Sequence, residues 1–176
     1  IDGSRDRIFQ AAMQSLLAEH FYRSGDHDRA IAEYELYVDA YADVGRASGL
    51  SPDAAEYKVG RAYFEIAEGH RQASRRDAAF LAYDRALEVY EAIERDYPYS
   101  KLSIAATAFN AALCYQMKGM MGDEASTAEA LARYQLMIDG AVDEDYVRSA
   151  LFQVARIHYQ GEAYGRAVPT YERILE

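Results

Sequence analysis

A chain of 176 residues is long enough to bury one sizeable core, and its formal net charge of -10 offers no concentrated positive face, which argues against nucleic acid as a partner. A single cysteine, Cys114, excludes an internal disulfide and a four-thiolate zinc site. With 3 Pro, 11 Gly, no Trp and apolar residues recurring every three or four positions, the composition reads as all-α, and no apolar run is long enough to span a membrane.

The periodicity predicts four antiparallel helix pairs in a single domain over 1–176, with units at approximately 8–43, 52–97, 101–139 and 144–176. In the first pair, Phe9, Met13, Leu16, Leu17 and Phe21 make an apolar stripe. Gly25 and Asp26 then supply a turn and a cap, and Ala30, Tyr34, Tyr37, Val38 and Tyr41 line the inner side of the second helix. That helix is expected to fray into "VGRASGL" before Ser51 caps the next, with Pro52 in its first turn. In the second pair Val59, Gly60, Tyr63 and Ile66 face the partner helix, Gly60 allowing close approach. Ser74 and Asp77 resemble a capping box, and Phe80, Tyr83, Leu87, Tyr90, Ile93 and Tyr97 hold one stripe until Pro98 ends it. This helix is expected to project beyond its neighbours.

The third pair carries Phe109, Ala112, Leu113 and Tyr115, a loop at "MKGMMGDEA", a capping box of Ser126 and Glu129, and then Ala130, Tyr134, Met137 and Ile138. The fourth opens at "DEDY" with Leu151, Val154, Ala155 and His158, followed by Ala167, Tyr171 and Ile174. Pro169 is tolerable there only if the last helix begins late or kinks.

"LLAEHFYRSGDHDRAIAEYELY" and its looser echo "HYQGEAYGRAVPTYERILE" resemble the tetratricopeptide family. Ala18, Gly60, Ala112 and Ala155 fit that family's small residues, and Ala30, Ala79, Ala130 and Ala167 its packing alanines. The Trp of the motif is absent, the closing Pro survives only as Pro98, and each interval between equivalent small residues exceeds the roughly 34 residues of a standard unit.

The resemblance implies a right-handed α-solenoid whose first helices line a concave groove. It would aim Tyr22, Tyr57, Arg61, Phe64, Phe109, Leu113, Gln116, Phe152, Arg156 and Tyr159 into that groove. The implied function is a non-catalytic scaffold for a peptide or partner segment with apolar anchors and a carboxylate, since aromatic and Arg side chains dominate binding hot spots. Equally, such aromatics pad a superhelix. The clamp by which some family members hold a chaperone's C-terminal carboxylate is broken: Asn110 occupies one of its places, but Tyr57, Arg61, Ser149 and Gln153 stand at others.

The remaining candidate chemistry has plainer explanations. His20, His27, His70 and His158 are too dispersed for a metal motif, so no metal or cofactor is expected. "DHD" at 26–28 and "DEDY" at 143–146 read as helix starts, and Cys114 as a small packing residue. No phosphate loop or nucleophile elbow is present, and an enzyme is not expected.

The chain starts abruptly at "IDGS" and stops inside a helical pattern, so it is expected to be a piece of a longer protein. Val168, Tyr171, Ile174 and Leu175 would then meet further helices, or a second copy of the chain. Around "ERDYPYSKLS" the chain is similar to tetratricopeptide proteins of the bacterial cell envelope, among them the outer-membrane assembly lipoprotein and Tol-Pal-associated types. The resemblance implies a periplasmic setting ahead of a cytoplasmic adaptor in regulation or polarity.

Overall fold

The computed structural model describes residues 2–141 and 143–175; Ile1, Val142 and Glu176 lie outside the described residues, as do the extreme ends of the expected 1–176 domain. Among the described residues there are helices and turns and no strand, as the composition predicts. The chain divides into two compact units, Ile1–Tyr97 and Pro98–Glu176.

The first unit holds α1 (Asp2–Ser24), α2 (His27–Tyr41), a 3₁₀ turn (Ala42–Val44), the short α3 (Gly45–Ser48), α4 (Pro52–Gln72) and α5 (Arg76–Asp96). Its hairpins are α1 with α2 and α4 with α5, and α2 packs on α4. The second unit begins with a wide π-helical turn (Leu102–Thr107) that runs into α6 (Ala108–Met120), then α7 (Glu124–Gly140), α8 (Glu144–Gln160) and α9 (Tyr164–Leu175). There α6 pairs with α7, α8 with α9, and α7 lies against α8.

One turn is written four times. In each hairpin a left-handed residue closes the first helix: Gly25, Ser74, Gly122 and Glu162, with φ of 82°, 57°, 95° and 58°. Its N–H bonds to the carbonyl three residues back, and the next N–H reaches the carbonyl five residues back. Asp26 thus bonds to Phe21, Arg75 to His70, Asp123 to Lys118 and Ala163 to His158. This is the Schellman arrangement, which satisfies carbonyls that a helix end leaves open.

The caps that follow differ from two of those expected. Asp26 accepts from Arg29 N, as predicted. The third hairpin, however, is capped by Asp123, which accepts from Ser126 N and the Ser126 hydroxyl, while Glu129 pairs with Arg133 instead of closing a box with Ser126. Ser74 occupies the left-handed turn, so the N-cap of α5 falls on Arg75, which makes no side-chain capping bond. Both corrections have one cause: the turn puts the N-cap one residue after its left-handed position and the helix start two after it, wherever Ser happens to fall.

Small residues set the spacing inside the hairpins. Ala18, Ala112, Ala155, Ala30, Ala79 and Ala130 are fully buried, and Ala167 nearly so. At Gly60 an added Cβ would lie 2.5 Å from the ring of Tyr90, itself fully buried, so α4 and α5 can approach only because that side chain is missing. Large volume comes from tyrosines whose hydroxyls find acceptors, as buried phenols must. Tyr34 donates to Glu19 at 2.8 Å and Tyr97 to Glu56 at 3.0 Å, while Tyr83 donates to Glu68 and Tyr37 to the carbonyl of Leu50. The "VGRASGL" segment is consequently ordered around Tyr37, with Ser48 also bonded to its hydroxyl at 2.7 Å, and does not fray.

Three further expectations change. On α1 the stripe of Phe9, Met13, Leu16 and Leu17 points outward, with Phe9 64% and Leu16 60% exposed, because Ala11 and Ala18 on the opposite side form the face that packs. The α5 helix does not outrun its hairpin partner: α4 and α5 both have 21 residues, and the Tyr97–Glu56 bond joins the end of one to the start of the other. Pro169 lies in the interior of α9, which begins at Tyr164, so the carbonyl opposite its ring is that of Gly165 in the first turn.

Candidate docking surface

In the first unit, Tyr22 from α1 and Tyr57 and Arg61 from α4 come together. The Arg61 charge acts on the Tyr22 hydroxyl, and Arg61 donates to Tyr57. The charge of this guanidinium is already paired, since it also donates to Glu65 at 3.2 Å, although its Nε has no hydrogen-bond partner. Burial opposes its charge, but Tyr57 and Glu65 outweigh that penalty and raise its pKa. Lys58 covers the Tyr22 ring at 5.2 Å, and Phe64 packs edge-on against Tyr83 at 5.7 Å. The group is a packed and internally neutralised patch.

The second unit is different. On α6, Phe109, Leu113, Gln116 and Met120 follow at i, i+4, i+7 and i+11 and share one face; on α8, Gln153, Arg156, Ile157 and Gln160 do the same at i, i+3, i+4 and i+7. Tyr134 of α7 lies behind both. It donates to Gln116 Oε1 at 2.9 Å, and its hydroxyl feels the charge of Arg156. Burial pushes the Tyr134 pKa up, with Arg156 acting the other way, so the phenol stays protonated as a donor.

What distinguishes this cleft from the Arg61 patch, where the Arg61 Nε is also without a partner, is a guanidinium with no carboxylate beside it. Arg156 is half-buried, its Nε has no hydrogen-bond partner, and among the described residues no carboxylate forms an ion pair with it. Gln116 Nε2 and Gln153 Oε1 are likewise buried and without partners. A buried polar group left unmatched costs about 1–3 kcal/mol, and these three atoms lie on two adjoining helix faces.

At the C-terminal ends of α6 and α8 the cleft deepens into a pocket of about 430 Å³, lined by Gln116, Met120, Thr127, Ile157, Gln160 and Gly161, with Gly119 at its edge. Gly119 lets α7 close in, since a Cβ there would strike the Thr127 hydroxyl. Gly161 has open space instead, its nearest neighbour being the Ile157 carbonyl at 3.5 Å.

The other expected groove residues of this unit are engaged by neighbouring rings. Phe109 is held between the rings of Tyr134 and Tyr146, at 5.6 and 5.7 Å, and acts mainly as packing. Phe152 and Tyr159 stand at i−4 and i+3 from Arg156, on its side of α8, and meet α9 at Tyr171 and Tyr164 respectively. Asn110 is buried and donates to the Ala106 carbonyl at 2.7 Å, a structural role. His158, lowered in pKa by burial and by the nearby Arg166, is neutral at pH 7. Cys114 is fully buried, and Asp26 and Asp143 are helix caps. Sequence reasoning missed Met120, Ile157, Gln160 and Gly161; the i, i+3, i+4, i+7 run from Gln153 to Gln160 was the available signal.

No protein-family model matches the chain, and no curated protein matches it.

Proposed function

We propose that the protein is a non-catalytic docking scaffold of the tetratricopeptide type, binding a partner-protein segment that carries apolar anchors and at least one carboxylate. The observation that carries this reading is Arg156: a half-buried guanidinium with no carboxylate partner, in a chain of net charge -10 where Arg61, whose Nε also lacks a hydrogen-bond partner, has its charge paired with Glu65. An Arg kept unpaired between apolar and amide side chains suits a carboxylate delivered from outside, because the planar guanidinium receives it through two parallel hydrogen bonds. The repeated hairpin turn and the buried small residues support the family reading. The cell-envelope setting rests on the resemblance around "YPYS" alone.

Selection of displayed peptides on the intact chain tests the function. Enriched sequences are expected to share an Asp, a Glu or a free C-terminus near apolar residues. Failure to enrich any sequence, or enrichment of basic peptides, contradicts the proposal.

A further inference from the structure

Each unit contains one joint between hairpins, and both joints use the same register. Five residues and one residue before the small residues Gly60 on α4 and Ala155 on α8 stand Ala55 and Val59, and Ala150 and Val154; all four are buried. They pack with the second helix of the hairpin before them, α2 in the first unit and α7 in the second. On α1 the same places, counted from Ala18, hold Met13 and Leu17, one helical turn apart on one side of the helix and 45% and 42% exposed.

The other half of the joint also recurs. One and eight residues after the packing alanines Ala30 and Ala130 come Ile31 and Val38 on α2, and Leu131 and Ile138 on α7, which belong to the same apolar clusters as the α4 and α8 residues they face. Counted from Ala167, α9 has Val168 and Leu175 at these places, 54% and 88% exposed. Even the polar residue between them repeats, as Glu35, Gln135 and Glu172. The chain thus carries both halves of a joint that it completes twice, and leaves both of these halves in water, where covering apolar surface is favourable.

We infer that the outer face of α9 in one copy of the chain packs on the outer face of α1 in another, in the register by which α2 packs on α4. A second copy is the occupant because α9 matches, position by position, the kind of helix that α1 lacks. Phe9 and Leu16, also exposed, widen the receiving face. The two faces differ, so the joint is heterologous, and spoiling either one alone breaks it. Neither face includes Arg156, so this inference is independent of the docking proposal.

Sedimentation of the full chain over a range of concentrations tests it. The unaltered chain is expected to rise in mass above the 19.8 kDa of one copy. Leu17→Glu and Val168→Glu each remove one face and should each weaken self-association by roughly tenfold or more. Both positions are exposed, so circular dichroism should show the helical signal of the unaltered chain. An equimolar mixture of the two variants should recover a dimer with one copy of each, since the intact α9 of the first meets the intact α1 of the second. Leu36→Glu, at an exposed apolar position of α2 outside this register, should leave self-association unchanged. A single-copy mass for the unaltered chain at every concentration overturns the inference, as does association that survives in either variant, which would mean α1 pairing with α1 or α9 with α9. Absence of the mixed dimer, or loss of association with Leu36→Glu, overturns it too.

Discussion

Glu19 shows how one residue can tie three helices. Its carboxylate on α1 accepts from Tyr34 on α2, from Lys58 on α4 at 3.1 Å, and from Arg23 at 2.7 Å. Burial alone would raise its pKa, but these three donors overcome it and hold the value at about 2, below the ordinary 4.5. A carboxylate whose folded pKa is depressed contributes its full stability above the unfolded value and loses it as the pH falls toward the folded one. Acid titration should therefore destabilise the first unit between pH 4.5 and about 2. Glu19→Gln should cost about 1–2 kcal/mol at pH 7 and flatten that dependence, which urea denaturation at several pH values will read. Gly60 gives a second prediction at this scale: Gly60→Ala forces a methyl group onto the immovable Tyr90 ring and should cost about 2 kcal/mol.

Among the elements, the four hairpin turns share one conformation but not one residue. Gly25 and Gly122 suit the left-handed position, whereas Ser74 and Glu162 adopt it against their preference. Ser74→Gly and Glu162→Gly should each stabilise the protein by about 0.5–1 kcal/mol, measured as a rise in Tm, without altering the helices. The helix pairs were legible in the sequence because period and turn residues agree at Gly25 and Gly122. The caps at Ser74 and Ser126 were misread because a Ser followed by an acid three residues later fits a box only if the helix starts there, and the turn decides where it starts. The α1 stripe was misread for a different reason: Phe9, Met13, Leu16 and Leu17 outweigh Ala11 and Ala18 in any hydrophobic count, yet close packing selects the small face. The unpaired atoms of the cleft were not legible, because pairing depends on contacts such as Tyr134 with Gln116, 18 residues apart in sequence.

Across the whole molecule, the division into Ile1–Tyr97 and Pro98–Glu176 separates two kinds of surface. The first unit neutralises its own charges at Glu19, Arg61 and Glu68; the second leaves Arg156 unpaired among the described residues. Two compact units also predict that damage stays local. In hydrogen exchange, Gly60→Ala should speed exchange within α4 and α5 well beyond any change within α8.

The most direct test of the docking account is calorimetric titration of selected acidic peptides into the unaltered chain, Arg156→Ala and Arg61→Ala. Loss of roughly tenfold or more in affinity with Arg156→Ala, and little change with Arg61→Ala, is the predicted result. Equal affinity for all three folded proteins would contradict it.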